Sequence, residues 1–329
     1  MLAVLCFGSA PASAQNTLTA PKLDDDEGRP VPFTVGFKLE SAVGQGTFVA
    51  DEYARNSEVD WGASIAPGYR PFKELMLSAY AKVTQELTDS EVDTQRQQLL
   101  LLDVNLRSDY ALGTIPVVDV KAATGLWLYL PTSKLSQYET LVLGAAARLV
   151  LGRQFGEHFS LDYLGIFRKN FHEYEGPVLN ASEGSPPPTF IRRGGPEDLG
   201  GSLVAVGTNN VSFYFYNVVQ FTWAPVTEWA FDIAYGVTNS FTYASHPKDE
   251  LSSPYADGGI GQRDATIASI DVAYTFDKRF SFSAGVQTTS VPMTADNESF
   301  RFPFYDFEGT ADNATSVYVD VTVSEAIGD

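Results

Sequence analysis

The side chains of this sequence that could do chemistry are charged residues set within alternating apolar segments. Five of them are basic and lie in the first half of the chain: Lys82, Arg107, Lys121, Arg148 and Arg168. Three are acidic and follow later: Asp232, Asp271 and Asp320. Opposed basic and acidic groups orient charged or zwitterionic solutes in a narrow passage. The chemistry they predict is electrostatic selection, without bond making.

Bond-making chemistry has little support. The three histidines are His158 at a predicted turn, His172 near a predicted strand end, and His246 in a predicted loop beside Ser245. No serine stands near a histidine at a spacing that suggests a nucleophile and its base, and no G-x-S-x-G element occurs. Metal-binding His/Cys spacings and phosphate-cradling glycine loops are also missing from the sequence. We therefore expect no catalytic residue, no metal and no cofactor.

The elements that must position the charges are strands. From Trp229 to Tyr243, large apolar residues alternate with small or polar ones, and a period of two indicates a strand. The pattern recurs between Phe33 and Ser324 and predicts twelve strands. Their expected ranges are Phe33–Val49, Glu58–Tyr69, Phe72–Leu87, Gln97–Ser108, Pro116–Leu130, Tyr138–Leu151, Glu157–Tyr174, Asn209–Trp223, Glu228–Tyr243, Arg263–Phe276, Arg279–Pro292 and Ala314–Ser324.

The connections between these strands alternate between short and long. Short turns are expected at Arg70-Pro71, Asp109–Ile115, Gly152–Gly156, Ala224–Thr227 and Asp277-Lys278, and the longest loop at Glu175–Thr208. Short periplasmic turns and long external loops are typical of outer-membrane barrels. The sequence thus predicts an all-β protein, a transmembrane antiparallel up-and-down β-barrel of about 12 strands over residues 33–325, with both termini on the periplasmic side.

The charges fall on one face of the predicted strands. Lys82 lies on the strand face opposite to that of Leu75, Leu77 and Val83. Arg107 likewise lies on the face opposite to that of Leu100, Leu102 and Leu106. Because Arg or Lys on the lipid face at mid-bilayer costs roughly 2–4 kcal/mol, this face should point inward. We call the five basic residues the basic wall and the three aspartates the acidic wall. Alternatively, these charges pair across the lumen, or with Asp103, Asp119 and Asp162, and close it.

Composition restricts the partners. The net charge of 22 − 41 = −19 argues against nucleic acid, which needs a basic surface. No apolar run reaches the roughly 20 residues of a spanning helix.

Aromatic pairs near strand ends predict a girdle at the membrane interface: Trp61 and Tyr69, Trp127 and Tyr129, Phe155 and Phe159, Trp223 and Trp229, Phe276 and Phe280. Expected partners are outer-membrane lipid, lipopolysaccharide and a small solute.

The N-terminal residues predict export. Residues 1–14 combine a short apolar core with Ala12-Ser13-Ala14, a small-x-small cleavage site, and contain the only cysteine, Cys6. Residues 15–32 are acidic and contain Pro21, Pro30 and Pro32, so we expect a flexible periplasmic lead-in. The predicted location is the outer membrane of a Gram-negative bacterium.

One short run carries a resemblance to a known family. Gly125-Leu126-Trp127-Leu128-Tyr129-Leu130-Pro131-Thr132-Ser133-Lys134 resembles the strand-to-loop element of bacterial outer-membrane transporter barrels, in particular the porin-like proteins associated with phenol-degradation pathways. The resemblance implies an outer-membrane barrel that passes small organic solutes, and it implies no catalytic residue.

Three hypotheses follow. The first is a passive channel for small solutes through a narrow, charge-polarised lumen. The second is a non-conducting structural or adhesion barrel that acts through its long external loops. The third is a soluble periplasmic β-sandwich, in which the aromatic pairs would be core.

Overall fold

The structure is a computed structural model, and its strands account for almost the whole described chain. It describes residues 33–44, 59–88, 99–176, 178–180, 203–205, 209–245, 259–276, 279–293, 298–305 and 314–327. The predicted signal peptide and lead-in lie outside these residues, as do His246 and most of the Glu175–Thr208 loop. The strands are β1 Phe33–Gly44, β2 Val59–Phe72, β3 Leu75–Glu86, β4 Leu99–Leu101, β5 Asn105–Ile115, β6 Val120–Tyr129, β7 Leu141–Phe155, β8 Phe159–His172, β9 Val178–Asn180, β10 Leu203–Ala205, β11 Val211–Val226, β12 Trp229–Ser245, β13 Gly259–Thr275, β14 Phe280–Ser290 and β15 Ala314–Ile327. One short helix, α1, spans Lys134–Tyr138.

The sheet closes on itself. Neighbouring strands pair antiparallel, and β1 pairs with both β2 and β15, so that Phe37 lies opposite Ile65 on one side and Val323 on the other. Since β4 and β5 occupy one position in the ring, the barrel has 12 strand positions, while β9 and β10 pair separately. The prediction of an antiparallel 12-stranded barrel is confirmed. Phe33 and Ile327 lie at the end with the short turns, which we call the turn end; the long connections lie at the loop end.

Two predicted turns lie within strands, and the predicted turns Gly152–Gly156 and Ala224–Thr227 are displaced, since the chain reverses at residues 156–158 and 227–228. The expected Asp109–Ile115 turn is strand, because β5 runs to Ile115 and the chain reverses at residues 116–119, where Asp119 has φ +51°. The extra residue that obscures the alternation is accommodated by a bulge at Gly113, whose φ of +97° suits glycine. Similarly, Pro71 lies within β2, and the turn follows at Lys73-Glu74.

One strand changes the face it presents partway along. Leu101 pairs with Val83, while Asn105 pairs with Tyr80, so the segment 102–104 contains one residue more than the partner strand. Leu101 and Leu106 therefore both face outward, and Leu100 lies opposite the inward-facing Thr84. The expectation that Leu100 faces lipid is wrong, because an inserted residue inverts the alternation.

The outer face carries the large apolar side chains. Phe167, Phe221, Ile233, Ile270 and Val319 are each at least 40% exposed on the outward parity. At the turn end, Trp223 stacks on Phe231 with ring centroids 5.1 Å apart, and the Trp229 and Tyr274 rings are tilted to each other with centroids 4.8 Å apart. Trp127 and Tyr129 were expected in this girdle, but they point into the barrel, where Trp127 is buried. Among the described residues, no helix is long and apolar enough to cross a membrane.

A chain segment covers part of the outer face at the loop end. Thr266, Thr288, Ser290 and Thr315 lie on the outward parity and yet are buried. Residues 298–305, which we call the strap, lie against this hydroxyl patch, because Thr288 Oγ1 donates a hydrogen bond of 3.0 Å to the Phe304 carbonyl. Thr288 and Thr315 hydroxyls also bond to each other at 3.0 Å. The strap leaves Phe300 and Phe302 exposed.

Candidate functional site in the barrel interior

The inward-facing residues of β15, β1 and β3 form a group of ion pairs. Lys38 Nζ lies 3.0 Å from Asp320 Oδ2, and Lys82 Nζ is paired with Glu40 Oε1. Lys82 and Glu40 reach each other across Gly62 of β2, where a Cβ would lie 3.0 Å from Glu40 Oε1 and 3.1 Å from Lys82 Cε. Lys82, a predicted member of the basic wall, is thus placed among carboxylates, and Asp320 has a basic partner that the sequence analysis missed.

The other two predicted aspartates face each other on neighbouring strands. Asp232 on β12 lies directly opposite Asp271 on β13. Asp232 accepts hydrogen bonds from Gln220 Nε2, at 2.6 Å, and from Thr222 Oγ1. Like charges directly opposite each other repel. This part of the interior is therefore strongly acidic.

The arginines lie on the other side of the barrel, among aromatic rings. The Arg107 guanidinium sits 4.4 Å from the Tyr80 ring centroid and 4.5 Å from that of Trp127. Arg148 Nη1 lies 3.0 Å from Asp109 Oδ1. The Arg168 guanidinium lies 3.8 Å from the Tyr129 ring centroid, and its Nε donates to Asn170 Oδ1 at 2.7 Å. Rings that stack on guanidinium groups hold them in place and leave their charge uncancelled.

Strand register puts Arg107 and Arg168 in one line with a third arginine. Arg107 lies directly opposite Trp127 on the next strand, Trp127 lies opposite Ala146, and Ala146 lies opposite Arg168. Arg168 lies opposite Tyr214, Tyr214 lies opposite Ser240, and Ser240 lies opposite Arg263 on β13. We call Arg107, Arg168 and Arg263 the arginine row. Arg263 was not among the predicted basic residues, although its parity with Asp271, eight residues on, places it on the inward face.

Lys121, the remaining predicted basic residue, is not grouped with the others. It keeps the inward parity of β6, but it is exposed at the turn end next to the reversal at residues 116–119. Asp119, considered as its partner, lies in that turn and not in a strand. The structure therefore brings together Arg107, Arg148 and Arg168 and separates them from Lys82 and Lys121.

An apolar cluster lies on the inward face between the arginines and the turn end. Its members are Ala123, Val150, Leu164, Val218 and Ala234, with Ile166 and Tyr216 packed against them. Val150 is 0% and Leu164 1% exposed, so the interior is filled around these side chains. Among the described residues, no group of His, Cys, Asp or Glu is placed to hold a metal ion.

The Leu-Pro-Thr-Ser run begins a loop that is fixed to the barrel at the loop end. We call Leu130–Thr140, which includes α1, the mouth loop. Thr132 Oγ1 accepts a 2.8 Å hydrogen bond from the Val104 amide and donates one of 3.1 Å to the Leu102 carbonyl. Ser133 caps α1 by accepting from the Ser136 amide, and its own amide donates to Asp103 Oδ1 at 2.9 Å. The run therefore docks on the inserted residues between β4 and β5.

Comparisons with solved structures give the class of this barrel. The chain resembles the COG4313 outer membrane channel from Pseudomonas putida F1 at 10% identity and a TM-score of 0.52, over 93% of this chain and 100% of that one. It also resembles the NanC porin (7% identity, TM-score 0.43, 87% and 98% covered) and the KdgM porin (8%, 0.42, 88% and 98%). TM-scores below 0.5 are too low to support an argument.

The first of these likenesses shows the fold alone. Together with the closed barrel and its apolar outer face, it identifies a Gram-negative outer-membrane β-barrel. The predicted location in the outer membrane is confirmed, and so is the resemblance to outer-membrane channels at the level of fold. No protein-family model and no curated protein sequence matches this chain.

Proposed function

We propose that this protein is a passive channel for small solutes whose lumen has a basic side and an acidic side. The observation that carries the proposal is that three inward-facing arginines and three inward-facing aspartates lie on different strands, although Lys38 and Lys82 pair with carboxylates on the acidic side and Arg263 lies near the loop end of β13. Arg107, Arg148 and Arg168 lie on β5 to β8, and Asp232, Asp271 and Asp320 lie on β12, β13 and β15. A charged or zwitterionic solute between two such sides is oriented by the field they produce.

The ion pairs run along the barrel wall. Lys38 and Asp320 lie on adjacent strands, while Lys82 and Glu40, like Arg148 and Asp109, lie two strands apart. Each of these pairs spans no more than two strand spacings, roughly 10 Å. This arrangement supports an interior in which charges remain beside an axial path, in contrast to pairing across the lumen.

A second candidate function is favoured by the apolar cluster. The burial of Val150 and Leu164 on the inward face fits a closed interior, in which the barrel is structural and the loops carry the activity. The two candidates differ in a single property, conductance.

Reconstitution into planar bilayers tests the proposal. We expect stepwise conductance, and in a KCl gradient we expect opposite shifts of the reversal potential for Arg168→Gln and Asp232→Asn. Removing a positive charge should favour the cation, and removing a negative charge should favour the anion. Arg153→Gln is the matched control, because Arg153 is exposed on the outward parity at the turn end.

Two results would contradict the proposal at different levels. Absence of conductance from protein with heat-modifiable gel migration, a sign of a folded barrel, would reject the channel and favour the structural barrel. Conductance with the same reversal potential in Arg168→Gln, Asp232→Asn and Arg153→Gln would leave the channel but reject the two charged sides.

A further inference from the structure

The mouth loop brings an acidic side chain to the arginine row. Glu139 follows α1 directly, and its side chain is half-buried at the loop end. The charged groups that act on it come from three elements: Asp103 from the segment between β4 and β5, Arg168 from β8, and Arg263 from β13. Two members of the arginine row thus act on one carboxylate.

The backbone at Glu139 is fixed independently of its side chain. The Glu139 carbonyl accepts hydrogen bonds from His172 Nδ1 of β8 and from Asn210 Nδ2 beside β11, each 2.7 Å long. The next residue, Thr140, has φ +56°, and its carbonyl accepts a 2.9 Å bond from the Glu173 amide. With Thr132 and Ser133 docked on residues 102–104, both ends of the mouth loop are held by the barrel. A loop fixed in this way keeps its side chains at defined positions in the lumen.

Burial makes the charge of this carboxyl responsive to pH. Desolvation is the largest effect and raises the pKa of Glu139 to about 7; Asp103 adds to the rise, whereas Arg168 and Arg263 oppose it. His172 also faces this region from β8, and β11 contributes the neutral Asn210. Above this pKa the carboxylate offsets part of the positive charge of Arg168 and Arg263. Below it, the protonated group leaves that charge in excess.

We infer that Glu139 is a specificity-determining residue of the channel, which sets the preference between anionic and cationic solutes by compensating Arg168 and Arg263 at the mouth. The inference rests on the proposed channel function. When Glu139 is ionised, the positive charge at the mouth is smaller and the channel discriminates more weakly between anions and cations. When it is protonated, the mouth favours anions such as small carboxylates.

Reversal potentials measured in KCl gradients between pH 8 and pH 6 test the inference. We expect the wild-type chloride preference to rise on acidification, and Glu139→Gln to show the acidic value throughout the range. Glu139→Asp keeps a titratable group and should retain a pH response. Glu173→Gln is the matched control, because Glu173 is an exposed carboxylate at the same end of the barrel, and its pH response should equal that of the wild type.

The outcomes separate this inference from the channel proposal. A conducting wild type with no pH response, or with a response that Glu139→Gln shares, would overturn the role of Glu139 and leave the channel intact. A folded wild type without conductance would overturn both. If Glu139→Gln lacks heat-modifiable migration, Glu139→Ala replaces it, and a chloride preference that rises equally on acidification in Glu139→Ala and in the wild type would overturn the inference.

Discussion

Arg168 owes its position to the absence of a side chain on the neighbouring strand. Its guanidinium passes over Gly144 of β7, where a Cβ would lie 2.8 Å from Nε and 2.9 Å from Nη2. It can therefore reach the Tyr129 ring on β6. A glycine at this position makes room for the arginine, so the two residues form one functional unit.

Gly144→Ala should displace Arg168 from Tyr129. Because the added methyl group overlaps the guanidinium in a packed region, we expect a loss of about 1–3 kcal/mol in the free energy of unfolding. Urea titration in lipid vesicles, followed by tryptophan fluorescence, measures this. Gly36→Ala is the control, since a Cβ there would find its nearest atoms at 3.8 Å. Equal midpoints for the two variants would show that Arg168 is free to move.

The strand face of a charged side chain could be predicted from the sequence, but its ion-pair partner could not. The alternation of leucine and alanine in β3 places Lys82 inward, but nothing near Lys82 in the sequence indicates its partner Glu40. That pairing depends on the register of β1, β2 and β3 and on the small size of Gly62. Spacing along one strand carries information about faces, whereas partners on other strands depend on how the sheet is assembled.

At the scale of elements, the docking of the mouth loop depends on an irregular strand. The segment 102–104, with its one inserted residue, turns the Val104 amide and the Leu102 carbonyl toward Thr132. A regular ladder would have kept these backbone groups paired within the sheet. Only one of these two parts was predicted from the sequence. The Leu-Pro-Thr-Ser run was identified, but four consecutive leucines at 99–102 show no alternation in which an insertion could be detected.

Thr132→Val should loosen the mouth loop. It leaves the Val104 amide without its side-chain acceptor, at a cost of about 1–3 kcal/mol. Lys134 is exposed in α1, so trypsin cleavage after Lys134, followed by mass spectrometry, should become faster. Thr124→Val also removes a threonine hydrogen bond, the 2.9 Å bond to the Arg148 carbonyl, but lies outside the loop. If both variants are cleaved at the same rate, Thr132 does not hold the loop.

At the scale of the whole molecule, closure of the sheet could be predicted and its register could not. Alternating segments with alternating connection lengths favour an even-numbered barrel, and the structure has one. The apolar pattern of β1 is equally compatible with any shift of two residues against β15, because such a shift keeps every side chain on its face. The pairing of Phe37 with Val323 is information that only the assembled barrel contains.

Cross-linking the first strand to the last tests this register. In a Cys6→Ser background, Phe37→Cys with Val323→Cys should form a disulfide on mild oxidation. Directly paired residues have Cα atoms about 4.5–5.5 Å apart, which a disulfide can span. Phe37→Cys with Val319→Cys is the control, since the four-residue offset adds roughly 13 Å along the strand. A cross-link in the second pair and not in the first would refute the register, as seen by non-reducing gel electrophoresis.

The strap has a consequence for the order of assembly. The hydroxyl patch beneath it is built from β13, β14 and β15, so the patch is complete only after the last strand has joined. Until then, Thr266, Thr288 and Ser290 would meet hydrocarbon without a cover, which is unfavourable for polar groups. The strap's own hydrogen bond, from Thr288 to the Phe304 carbonyl, is to β14, so the strap can begin to dock before β15 joins and lies on a complete patch only in the finished barrel.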